Sequence, residues 1–220
     1  MNFFGHATVA AWSPSATPAF VLGAMLPDFA SISGARSARA AHEETSRGVT
    51  LHHATDAVFH AAPDFVALTT LARGHLESGG VARGPAWAAA HVGVELLIDG
   101  TLVTDDGACQ LYLRALQDAD ACVACGRDDA PRLARFLARA RDSGVPYGYA
   151  DPRFVAARVE RALSSRSRLA LRSRHVEVLA AVLAGVAADV PARARSLLID
   201  VRRGLSAMAL GPGGEPEATR

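Results

Sequence analysis

Leu51-His52-His53-Ala54-Thr55-Asp56-Ala57-Val58-Phe59-His60 is the stretch that decides how this chain is read. His52, Asp56 and His60 recur every four residues. On an α-helix each step of four drifts only about 40° around the axis and rises about 6 Å, so the three side chains share one face. Ala90-His91-Val92-Gly93-Val94-Glu95-Leu96-Leu97-Ile98-Asp99 repeats the device with His91, Glu95 and Asp99. Both stripes run among apolar residues: Leu51, Val58 and Phe59 in the first, Val92, Val94, Leu96, Leu97 and Ile98 in the second. Buried imidazoles and carboxylates are costly unless they pair or bind a cation. Two facing stripes therefore make either a hydrogen-bonded polar core or a metal centre, and metal is the preferred reading. The helices that carry them are expected to be packed neighbours, stripe to stripe, with His6 and Asp28 at the same centre.

Working outward, the rest of the chain reads as helices. Asn2 to Ala11 holds His6 and stops at Trp12-Ser13-Pro14. Ser15 to Met25 forms a second short helix that Pro27 ends, because a proline disfavours helix at the residue before it, leaving Asp28 just past the end. Ser31 to Ser46, rich in Ser, Ala, Arg and Gly, reads as a loop with room for one helical turn. Thr45 or Ser46 is the candidate cap of the helix bearing His52. Pro63-Asp64 starts the next helix, with Phe65, Leu68 and Leu71 inward and Gly79-Gly80 at its end, and Pro85 opens the helix bearing His91. Further helices are expected over about 107–124, 131–140, 152–163, 167–188 and 191–210, with a loop over 143–149. No strand is expected. The fold class is all-α, a single-domain helical bundle over residues 1–210, followed by a disordered polar tail over 211–220.

Composition narrows the function classes. The chain has 220 residues, half of them hydrophobic and a fifth charged, which is globular rather than disordered. All 23 basic residues are arginine, and the formal net charge of +1 argues against a nucleic-acid binder. Cys109, Cys122 and Cys125 are too few and too odd for a disulfide framework. Cys122 and Cys125 together would supply only half a zinc site, and packing on a helix is the favoured reading for them. No apolar run reaches the ~20 residues that span a bilayer, and no basic region precedes the apolar start of the chain, so no membrane or secretory role is expected. A cytoplasmic location fits this usage. The sequence does not specify an oligomeric state.

Mixed imidazole and carboxylate ligands suit manganese, iron, zinc or magnesium. Residues four apart on a helix can reach one ion, as in metalloprotease helices, whereas residues eight apart, about 12 Å along the axis, cannot. His52 with Asp56 is thus expected to hold one ion, while His60 serves a second ion, the substrate or the outer shell. The same limit applies to His91, Glu95 and Asp99. His53 points about 100° away from His52. His42, His75 and His175 are expected at the surface. Arg158, Arg161, Arg166, Arg168, Arg172 and Arg174 form a dense basic stretch, either a solvated helix face or a docking surface for an acidic partner or phosphate.

Met1-Asn2-Phe3, then His6, then Leu22 to Phe29, then Gly48 through His52, Asp56 and Pro63, together resemble the acyl carrier protein phosphodiesterases. That family opens with Asn-Phe-Leu-Ala-His, continues to Gly-Asn-Leu-Leu-x-Asp-Phe and then shows a Gly-x-x-x-His-x-x-x-Asp helix. Arg166-Ser167-Arg168-Leu169 also looks like an arginine-containing segment of it. The resemblance touches most of the chain and is specific over about the first 65 residues. It implies an all-helical, HD-domain-like fold and hydrolysis of the phosphodiester that holds phosphopantetheine on acyl carrier protein, with manganese as the usual ion. His6, Asp28, His52 and Asp56 match the family residue by residue. His60 stands where the family has aspartate, and Ala90 replaces the aspartate before the histidine matched by His91; Glu95 and Asp99 are placed to supply the missing carboxylates.

The expectation is a metal-dependent phosphohydrolase. Its metal ligands are expected from His52, Asp56, His91, Asp28, His60 and Asp99, with His6 or Glu95 completing the shell or handling a proton, and with Arg168 and Arg172 contacting substrate. Acyl carrier protein is the partner the resemblance implies. The alternatives are action on a smaller phosphoester, or a non-catalytic scaffold whose stripes form a satisfied polar network.

Overall fold

Phe3–Ala11 (α1) is apolar except for His6 and Thr8, and a helix this apolar must be enclosed. Phe3, Phe4, Ala7, Val9 and Ala10 are all buried, and α1 is surrounded by α2 (Pro18–Ser33), α3 (Glu43–Phe59), α5 (Arg83–Leu102) and α6 (Asp106–Gln117). Phe3 and Phe4 meet Phe29 of α2 and Tyr112 of α6, with Phe4 edge-on to Tyr112 at 5.2 Å between ring centres. The computed structural model describes residues 1–209, and eleven α-helices run through them. The expected all-α architecture is observed; the expected tail over 211–220 lies outside the described residues.

The remaining helices form an outer layer. α4 (Pro63–Ser78) packs on α5 and turns Phe65, Leu68, Ala72 and Leu76 inward. Leu71, expected inside, is exposed, because the stripe 65–68–72–76 passes to one side of it. α8 (Ala130–Ser143) lies on α2 and α6, α9 (Pro152–Leu163) on α5, α10 (Ser173–Ala187) on α9 and α4, and α11 (Val190–Ala209) on α3, α4 and α5.

Pro27 does not end α2. The helix runs through it to Ser33, so Asp28 lies inside a helix rather than beyond one. An interior proline removes one backbone bond and costs about 3 kcal/mol against isolated helix. Here Leu22, Met25, Leu26 and Phe29, on both sides of it, are buried, and tertiary packing overrides the local penalty. α3 starts at Glu43, and Thr45 is buried within it instead of capping it. The segment expected as one helix over 107–124 is α6, a short turn α7 (Ala119–Cys122), and a two-residue strand β2 (Val123–Ala124). This strand pairs antiparallel with β1 (Arg39–Ala40), and strands of two residues carry no readable alternation. The expected loop over 143–149 ends in a single 3-10 turn, Tyr147–Ala150.

α10 starts at Ser173, not Ser167. Residues 164–172 are a chain of turns, with Arg166 N–H on Leu163 C=O at 2.9 Å and Leu169 N–H on Arg166 C=O at 2.7 Å. Ser164 bonds the Arg161 carbonyl at 2.8 Å, and serine side chains that bond nearby backbone in this way compete with helix. Arg166, Arg168, Arg172 and Arg174 are exposed there. His175, expected at the surface, is buried, with its Nε2 accepting from Arg174 Nε at 3.2 Å. His42 and His75 are exposed as expected.

Candidate metal centre

The first part of the site follows from a close crossing of α2 and α3. Gly23 and Gly48 let the two backbones touch; a Cβ on Gly23 would run into the carbonyl of Thr45, and one on Gly48 into that of Phe20. Only glycine tolerates this approach. It brings His52 against α2, where Nδ1–H donates to Ala24 C=O at 2.8 Å. A histidine held by a backbone carbonyl has its tautomer set and its other nitrogen free as a ligand. His6 of α1 stacks on His52, ring centres 3.8 Å apart. Asp56 completes the group: its Oδ1 lies 3.2 Å from His6 Nε2 and its Oδ2 lies 3.5 Å from His52 Nε2.

Neither of these imidazole–carboxylate approaches has the alignment of a hydrogen bond, and both ring nitrogens of buried His6 lack a partner. Buried polar groups are nearly always satisfied. Donor atoms around an ion with ~2.1 Å bonds lie about 3 Å from one another at right angles, which is the spacing seen here. The residues therefore fit a cation better than they fit each other.

His60, at the C-terminal end of α3, meets the second stripe. Its Nε2 donates to Glu95 Oε1 at 3.0 Å, and His91 Nε2 lies 3.1 Å from the same oxygen. The two imidazoles stack with ring centres 5.0 Å apart. His6 with His52 and Asp56, and His60 with His91 and Glu95, are two groups able to hold a metal ion; within each, the ligand atoms all lie within 4.8 Å of one another. The first triad is largely buried, while the side chains of His60 and His91 keep 35% and 28% of their surface, so the second opens to solvent.

The α-ammonium of Met1 joins the triads. It donates to Asp56 Oδ1 and Glu95 Oε1, both at 3.0 Å, and lies 3.3 Å from His60 Nε2. The two carboxylate oxygens are thus no farther apart than twice the shorter distance. His60 Nε2 cannot accept from the ammonium while donating to Glu95, so which of these two bonds forms depends on which ring nitrogen of His60 carries the proton. The stripes turn toward each other as expected, but α3 and α5 are not directly packed neighbours along their backbones: the start of α1 comes in between and packs on both.

The charges follow from this geometry. Burial alone would raise the Asp56 carboxyl, but the His6 contact and the Met1 ammonium outweigh it and hold the group well below its usual range. Glu95 behaves alike, with burial outweighed by the ammonium and by His60 and His91. Burial pushes His6 down, and it pushes His52 down to about 4 with His6 adding to the effect, so both rings are neutral and ligand-ready near neutral pH. For the Met1 amine, burial is outweighed by Glu95 and Asp56, and the group stays charged.

Two expected ligands fall outside both triads. Asp99 is fully buried one turn beyond Glu95, and its Oδ2 accepts from Asn2 Nδ2 at 3.0 Å. Burial lifts its carboxyl far above the ordinary value, with the Asn2 bond only partly opposing this, and that bond suits it to positioning the start of α1. Asp28 is also left out, because α2 continues and carries it along. Its Oδ2 is enclosed without a partner, and burial raises the group to about 8, with Glu95 and Asp56 adding to the effect and the Met1 ammonium opposing it. A raised folded pKa gives stability that is full below the ordinary value of 3.8 and lost as pH rises toward 8. In metal-free protein, Asp28→Asn should therefore raise the melting temperature at pH 8 and change it little at pH 3.5. Equal shifts at both would exclude this titration.

His6 and Glu95, expected to complete the shell or carry a proton, stand inside the triads as ligand candidates. His53 is exposed on the far side of His52. Arg168 and Arg172 are exposed on the 164–172 segment, whose backbone passes the first turn of α5 at Gly84. Sequence reasoning missed the Met1 amine and the hold of Asp99 on Asn2, for which no helical spacing gives a signal. It also missed Trp87, one turn before His91, where i, i+4 spacing was available as a sign. No family model, no curated protein and no solved structure matches this chain.

Proposed function

We propose that the chain is a metal-dependent phosphohydrolase acting on phosphodiesters. The observation that carries this reading is the pair of imidazole–carboxylate triads side by side, one largely buried and one facing solvent, with both ring nitrogens of His6 in the buried one left without a hydrogen-bond partner. Divalent ions bound there would lower the pKa of water toward neutral and neutralise charge on phosphoryl oxygens. His6, His52 and Asp56 would hold the enclosed ion, and His60, His91 and Glu95 the accessible one, with its open side toward substrate. Burial raises the Asp28 carboxyl to about 8 in the ion-free chain, with Glu95 and Asp56 adding to the effect and the Met1 ammonium opposing it, which makes Asp28 a candidate proton donor to a leaving oxygen. The mixed donor set suits manganese, which the resemblance also implies; zinc, iron and magnesium are the alternatives.

The resemblance to acyl carrier protein phosphodiesterases supplies one form of the substrate, phosphopantetheine on its acidic carrier. Exposed Arg166, Arg168, Arg172 and Arg174 support it, since complementary charge steers an acidic partner. The three cysteines are free, in keeping with a reducing cytoplasm. A scaffold role draws on one observation: the Met1 and His60 bonds to Glu95 already satisfy part of the network. Elemental analysis and a phosphodiester screen with added manganese separate the two. Stoichiometric metal with chelator-sensitive turnover of bis(p-nitrophenyl) phosphate is expected. A protein that folds yet binds no transition metal is the scaffold.

A further inference from the structure

Gly84, Trp87, His91 and Glu95 follow one another at steps of three, four and four residues, so they line one face of α5. The face rises about 6 Å from Trp87 to His91 and about 16 Å from Gly84 to Glu95. Trp87 lies on His91, with ring centres 5.3 Å apart and planes 26° from parallel. It nevertheless keeps 54% of its surface. An indole with one face covered and about half its surface left has its other face in water. His91 stacks in turn on His60, so the exposed indole ends a ladder of rings that begins inside the solvent-facing triad.

The opposite end of the face is electropositive. A Cβ placed on Gly84 would lie 3.8 Å from the Arg168 carbonyl oxygen and from Leu169 Cδ2, which puts the 164–172 segment on the first turn of α5. Arg166, Arg168, Arg172 and Arg174 are exposed, and no acidic residue occurs between Glu160 and Glu177 to neutralise them.

We propose that this face binds a phosphoester carrying a flat heteroaromatic ring, with the ring on Trp87, a phosphoryl group at His91 and Glu95, and further negative charge toward Arg168. Stacking on an aromatic side chain reads the flatness of a ring and tolerates its substituents, so a nucleotide-sized ester is the class that fits. The proposal rests on the phosphohydrolase reading above and favours its small-ester form over the carrier protein.

The chain has two tryptophans, Trp12 and Trp87, so a Trp12→Phe protein reports on Trp87 alone. With manganese present, adenosine 5′-monophosphate should quench its fluorescence saturably, and ribose 5-phosphate, which has no ring, should not. In competition binding, Trp87→Ala should shrink the preference for the ring-bearing probe by roughly tenfold, and Trp87→Phe should keep most of it. Quenching by both probes alike, or a preference that survives Trp87→Ala, overturns the platform. Quenching by neither also overturns it; a manganese titration of the same sample then shows whether the metal reading falls with it or stands alone.

Discussion

Replacing Glu95 with alanine should cost the metal-free protein about 3–5 kcal/mol, the range for removing one partner of a buried ion pair. One oxygen of this residue meets the Met1 ammonium at 3.0 Å, His60 at 3.0 Å and His91 at 3.1 Å, and only 12% of the side chain is exposed. Alanine would leave an ammonium enclosed with a single carboxylate, Asp56, in a cluster built around two. At 2–4 °C per kcal/mol for a chain of this size, the melting temperature should fall by about 10 °C. Glu95→Gln should fall less, since it keeps the shape and one acceptor. The pH dependence has a definite sign. Because the folded carboxyl sits below its ordinary value of 4.5, its contribution is present above that pH and is lost as pH falls. Wild type and Glu95→Ala should therefore converge in acid and differ most near neutral pH. A loss below about 1 kcal/mol in urea unfolding at pH 7 would show that Glu95 is not the hub the distances describe.

The convergence on Glu95 and Asp56 was half legible in the sequence. Helical spacing put His52, Asp56 and His60 on one face and His91 and Glu95 on another, and the structure turns those faces together. The same spacing put Asp99 with the ligands, but periodicity places a side chain on a face and does not say what stands opposite: here it is Asn2, which donates to its Oδ2, and Asp99 joins neither triad. The misplacement of Asp28 has a different cause. Pro27 is a strong local signal for a helix end, and it loses to the buried apolar residues on both sides of it. The extra turns at 164–172 were hidden because an arginine–serine run looks alike on a helix face and on a segment of turns. Met1 escaped notice because a backbone amine carries no residue-type signal. Its position explains why the start of α1 is drawn between α3 and α5, so that the helices bearing the stripes do not pack directly on each other.

Metal linkage should give the other large effect. An ion that binds only the folded chain stabilises it by about 2.7 kcal/mol at a hundred times its Kd, which for this length is roughly 5–11 °C in melting temperature. Manganese should produce a shift of that size in wild type, and chelator should reverse it. Two triads predict two ions per chain in calorimetric titration. In Asp56→Ala the first triad is reduced to two stacked, neutral imidazoles, His6 and His52, and should lose its ion, so the stoichiometry should fall from two to one. His91→Ala should remove the other ion and leave the enclosed one. Turnover should drop more than ~100-fold in Asp56→Ala, since even the residues behind metal ligands are worth 10–100-fold. Circular dichroism on each variant separates loss of an ion from loss of the fold. An Asp56→Ala protein that stays folded and responds to chelator as wild type does would take Asp56 out of the centre. With it would go the reading of the first triad, because His6 and His52 have no other carboxylate in their group.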